Sequence, residues 1–120
     1  MAECCCGNNG ATLLYACSGA ANTGFLADQV ARKIMQDGCG KMTCLAAVGA
    51  NLTGFIESAK TAVKNIVVDG CQVACGKKIF DKLELPYTHF ITTAFGVEKG
   101  KTSITPGIVD EITVKIKEGI

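Results

Sequence analysis

The sequence predicts an α/β domain: a three-layer sandwich with a four-stranded parallel sheet, order 2-1-3-4, and helices on both faces. Three observations lead there. Short apolar runs alternate with longer segments whose apolar residues recur at helical spacing, the pattern of repeated strand–helix units. The short runs are apolar almost throughout, as strands covered on both faces require. Right-handed crossovers between parallel strands then leave few topologies. In the order 2-1-3-4 the chain reverses direction between the first and third strands, and ligands of such sheets bind at the carboxyl ends there.

Taken in order, residues 12–17 follow a Gly/Asn stretch at 7–10 and read as a short buried strand. A helix is expected over 23–36, because Leu26, Val30 and Ile34 recur every four residues. Asn22 or Thr23 would cap its start and Gly38 would stop it. The second strand begins at 41 and runs to 45 or a little beyond. The next helix, over 53–64, would turn Ile56, Ala59 and Val63 inward. Residues 65–69 form the third strand, with the strongest β-branched run of the chain, Ile66-Val67-Val68. A third helix is expected over 72–83, burying Gly76, Ile79, Phe80 and Leu83. The fourth strand covers 88–95. Thr105-Pro106 opens a last helix with proline in its first turn, burying Val109, Ile112 and Ile116.

The 120 residues suit one domain, and 48% hydrophobic against 19% charged residues is enough apolar material for a core. Residues 1–10 read as a Cys-rich, solvated tail and 11–120 as the single domain. Twelve basic against eleven acidic residues leave a net charge of +1, which argues against nucleic-acid binding through a basic surface. The N-terminus shows no basic region followed by an apolar run, and no apolar stretch could span a bilayer. A soluble, cytoplasmic protein is therefore expected. Eight cysteines, at 4, 5, 6, 17, 39, 44, 71 and 75, then point to metal ligation or thiol chemistry rather than to disulfides.

The segment from Val67 to Lys78 is the most informative. Gly70 lets the backbone turn sharply out of the third strand. Cys71 would sit where the helix begins and Cys75 in its first turn, on one side of it. Unpaired N–H groups and the positive helix end favour thiolates there, and zinc takes deprotonated sulfur in a tetrahedron. Cys17 closes the first strand, which neighbours the third at roughly 4.8 Å, and supplies a third ligand. One zinc per chain is expected.

The same segment resembles the DGC domain family, named for an Asp-Gly-Cys motif, present as Asp69-Gly70-Cys71. The likeness extends over nearly the whole chain. It includes Cys17-Ser18-Gly19-Ala20-Ala21-Asn22-Thr23-Gly24, Cys44-Leu45-Ala46-Ala47-Val48-Gly49-Ala50 and Gly96-Val97-Glu98-Lys99-Gly100. The resemblance implies a zinc-binding protein with four chelating cysteines and no assigned activity. Those four correspond to Cys17, Cys44, Cys71 and Cys75. Cys44 reaches the site only if the second strand stops near Leu45. A strand running on to Val48 would leave it roughly 13 Å away.

The remaining candidates read as structural. Cys39, in a second Asp-Gly-Cys tripeptide, lies in a turn at the opposite edge. Cys4, Cys5 and Cys6 fall in the tail. His89, the single histidine, sits early in the fourth strand. Two function classes remain. The first is a metal module, structural or engaged in zinc handling, with an iron–sulfur cluster as the variant. The second is a thiol enzyme using Cys17 in an anion-binding loop, similar to phosphocysteine-type transferases. A phosphatase of this kind would need arginine six residues after the cysteine, where Thr23 stands.

Overall fold

The structure is a computed structural model in which residues 11–120 are described; Cys4, Cys5 and Cys6 lie outside them. Four strands, β1 (Thr12–Ala16), β2 (Lys41–Met42), β3 (Lys64–Asp69) and β4 (Thr88–Ile91), form one sheet in the order β2-β1-β3-β4. Every pairing is parallel, as the sequence predicts. The helices are α1 (Asn22–Gln36), α2 (Leu45–Gly49), α3 (Thr53–Thr61), α4 (Cys75–Lys82) and α5 (Pro106–Glu118). A 3₁₀ turn, Thr92–Phe95, follows β4.

Alternation along β1 and β3 divides the core in two. Leu14, Ala16, Ile66 and Val68 face Leu26, Val30 and Ile34 of α1 and Ile112 and Ile116 of α5. Leu13, Tyr15 and Val67 face Val48, Ala59 and Phe80 on α2, α3 and α4. This is the three-layer arrangement expected when strands are apolar on both sides. In the second layer Tyr15, fully buried, donates its hydroxyl to Asn65 Oδ1 at 2.8 Å. Burial pushes the Tyr15 phenol up to about 12. Because the folded state holds this proton more tightly than the unfolded chain, stability falls as pH rises from about 10 towards 12. In Tyr15→Phe that alkaline loss should shrink, which chemical denaturation in this pH window would measure.

Several element boundaries differ from the sequence reading. β2 is only two residues long, and α2, absent from that reading, begins directly after Cys44. β4 stops at Ile91, paired with Asp69, because β3 offers no further partner. Thr92 then turns its hydroxyl onto Gly70 C=O at 2.9 Å. α3 ends at Thr61, and Val63 is exposed rather than inward, its N–H bonded to Ala11 C=O as the chain enters β3. At α1 the cap is Ala21, with no side-chain bond; Asn22 is the first helical residue and its side chain is engaged elsewhere. Thr105 caps α5 with Pro106 behind it, as expected.

Candidate metal centre

The carboxyl ends of β1, β2 and β3 each release a cysteine. Cys17 follows β1 directly, its N–H still bonded to Val68 C=O. Pairing of Leu14 with Met42 brings Cys44, two residues on, to the level of the end of β1. The short form of the second strand is therefore the one realised, and Cys44 stands exposed at the N-cap of α2. Beyond β3 comes the Asp-Gly-Cys motif.

Gly70 is pinned on three sides. Its N–H donates to Cys17 Sγ at 3.3 Å, its C=O accepts from Thr92, and its Cα packs on the α1 backbone. A Cβ at this position would lie 2.6 Å from Thr23 C and O. The thiol at the end of β1 is thus tied to the residue preceding Cys71.

The helix after Gly70 starts later than expected. α4 begins at Cys75, and Cys71 lies in a separate turn closed by Ala74 N–H to Cys71 C=O at 3.0 Å. Ala74 is left-handed, with φ 53°, which interrupts any helix from Gln72. Asp69 fixes the later start. Its carboxylate accepts the N–H groups of Gly76 at 2.9 Å and Lys77 at 3.0 Å, two of the donors that a helix start leaves unpaired. His89 Nε2 lies 2.7 Å from the same carboxylate, which is almost wholly buried. His89 thereby braces the Asp-Gly-Cys motif itself.

Cys71 and Cys75 therefore do not share one helical turn, and the positive end of α4 serves Cys75. The Cys71 thiol is nonetheless held below its ordinary value, first by the Val73 backbone N–H and then by the Lys99 ammonium. Lys99 Nζ stands 3.4 Å from Cys71 Sγ. Both line an open cavity of about 460 Å³ with Gln72, Val73, Thr93, Val97 and Glu98. The contacts of Lys99 with Cys71 and of Asp69 with the start of α4 are what the sequence reading missed. The Gly-Val-Glu-Lys-Gly stretch was the signal for the first, and the motif's own aspartate for the second.

Cys17 and Cys71 are half-buried, Cys44 and Cys75 exposed, and all four are free thiols. Among the described residues, no three or more His, Cys, Asp or Glu side chains are grouped closely enough to hold a metal ion. The donor set has the chemistry of a zinc site, and two of its sulfurs already accept N–H donors, as metal thiolates do. Its sulfurs do not converge in this conformation. Cys39 is buried in the core beside α1 and belongs to packing.

A parallel α/β domain with cysteines gathered at its strand ends is the class these features define. The chain belongs to the DGC domain family, whose pattern it matches over residues 13–116. It is also 30% identical over 88 residues to the anaerobic and virulence modulator AnvM of Pseudomonas aeruginosa, a match covering 72% of this chain and 67% of that protein. No solved structure matches the chain. No described helix is long and apolar enough to cross a membrane.

Proposed function

We propose that the chain is a zinc-binding domain in which Cys17, Cys44, Cys71 and Cys75 hold one ion, and that it serves metal handling or regulation. The observation that carries this reading is the bond from Gly70 N–H to Cys17 Sγ. It joins the thiol of β1 to the motif bearing Cys71, at the edge where Cys44 also emerges. Loading requires Cys44, exposed at the start of α2, and the turn bearing Cys71, with Cys75 exposed beyond it, to draw inward. Bound zinc would cross-link the loops after three strands. Four thiolates fill a tetrahedral sphere and leave no open position for catalysis. Similarity to a protein described as a modulator supports a regulatory over a catalytic role.

Full-length protein purified without chelators should contain about one zinc per chain by elemental analysis. Cys→Ser at 17, 44, 71 or 75 should each weaken binding, while Cys39→Ser should leave metal content unchanged. A metal-free wild type, folded and of normal stability, would sink the reading. A coloured protein with iron would point to a cluster instead.

The Cys71–Lys99 pair favours one further reading, thiol chemistry, with Cys71 rather than Cys17 as the reactive sulfur. Alkylation mapped by mass spectrometry separates the two. Zinc protects the four ligands until a chelator is added; a thiol enzyme labels rapidly whether or not chelator is present.

A further inference from the structure

Beyond the carboxyl ends of β3 and β4 lies the open cavity of about 460 Å³, the size of a small-molecule site. In an open parallel sheet this is the end at which ligands are held. Gln72 and Val73 come to it from the turn after β3, and Thr93 from the 3₁₀ turn after β4. The loop bearing Val97, Glu98 and Lys99 completes the lining, which is mainly apolar. Val73 leaves an exposed apolar side chain there.

The loop side of the cavity has one shape before any ligand arrives. The Asn22 side-chain amide donates to Glu98 C=O at 3.1 Å and Thr102 C=O at 2.8 Å, and its carbonyl accepts Gly100 N–H at 2.7 Å. A fourth bond, Glu98 N–H to Thr102 Oγ1 at 2.8 Å, closes the loop on itself. Val97 anchors it in the α1–α5 layer. Gly96 and Gly100 take φ values of 87° and 82°, which let it turn tightly at both ends. A ligand therefore does not have to order this loop, a cost that weakens binding to loose ones.

Among the described residues Lys99 is the one cation lining the cavity. None of the ion pairs among those residues involves it, and its Nζ meets Cys71 Sγ at 3.4 Å. A thiol sulfur is a weak acceptor, whereas a carboxylate and an ammonium make a charge-assisted hydrogen bond. Glu98, its neighbour in sequence, lines the same cavity and repels a ligand with a second negative charge. An apolar lining with a single ammonium suits one carboxylate on a short apolar body.

We infer that this cavity binds small monocarboxylic acids, with Lys99 holding the carboxylate and Val73 and Val97 lying against the apolar body. Neither a metal nor the ionisation of Cys71 enters, so the inference stands or falls apart from the zinc reading.

Hexanoate, hexanol and adipate, which share one chain length, test this by NMR titration of the backbone amides of full-length protein. Hexanoate should shift the amides of residues 71–73, 93 and 97–99 saturably. Its Kd should be on the order of millimolar, as suits so small a ligand. Hexanol, with the same apolar body and no charge, should bind about fivefold more weakly, the upper end for an exposed ion pair. Adipate should also bind more weakly than hexanoate, because its second carboxylate finds Glu98 and no second cation. Lys99→Met should bring hexanoate down to the affinity of hexanol and leave hexanol unchanged, while Lys99→Arg should keep the preference. Val73→Ser, at an exposed position, should weaken both alike, with circular dichroism confirming that each variant is folded. Saturable shifts at none of these amides overturn the inference. So do equal affinities for hexanoate and hexanol, adipate binding as tightly as hexanoate, or hexanoate binding unchanged in Lys99→Met.

Discussion

Asp69→Ala is expected to lower the unfolding free energy by about 3 kcal/mol, through loss of charge-assisted hydrogen bonds and the donors left unpaired. The carboxylate is almost wholly buried and has three partners: the N–H groups of Gly76 and Lys77, and His89 Nε2. α4 has only eight residues, and its N-cap, Ala74, supplies no side-chain bond. The cap comes instead from the end of β3. Removing it leaves two helix-start donors unpaired and His89 facing a void. Urea denaturation measures the loss, and faster hydrogen exchange at Gly76 and Lys77 would locate it. A change below about 1 kcal/mol, the worth of one ordinary hydrogen bond, would show that the helix start is held by something else. His89→Ala keeps both capping bonds and should cost only about that amount.

Gly70→Ala should cost about 3 kcal/mol, the upper part of the range for overpacking. The added carbon would meet Thr23 C and O at 2.6 Å and Gly24 N at 2.8 Å. All three are backbone atoms, so no side chain can rotate away, and either α1 or the turn bearing Cys71 must move. The shift would also break the Gly70 N–H bond to Cys17 Sγ, so zinc content should fall together with stability. Gly54→Ala, where the added carbon has open space, is the control. Wild-type stability in Gly70→Ala would mean that the packing between α1 and the motif is slack.

The placing of Cys17 and Cys71 just beyond strand ends was legible before folding, for a physical reason particular to parallel sheets. Cys17 and Cys71 follow apolar runs, and the carboxyl end of such a run is where a sheet of this kind presents side chains. What could not be read was which backbone groups would claim Asp69. A helix start chosen by a carboxylate six residues upstream leaves no periodic trace, so Cys71 was placed on a helix that begins at Cys75. β2 was similarly uncertain: Cys44, Leu45 and Ala46–Ala50 suit a strand, a loop or a short helix alike. Pairing with β1 at only two positions decided it.

The sequence by itself determined the layer order, the four-stranded parallel sheet and the end of the sheet where thiols collect. Those features follow from hydrophobic patterning and chain handedness, which act along the chain and over one crossover at a time. Only the tertiary structure decided that Asn22 leaves its helix cap to clamp the Glu98–Thr102 loop. It also decided that Lys99 meets Cys71, and that His89 braces Asp69. These contacts join residues 20 to 80 positions apart. They depend on the angles at which finished elements pack, and local spacing carries no record of those angles.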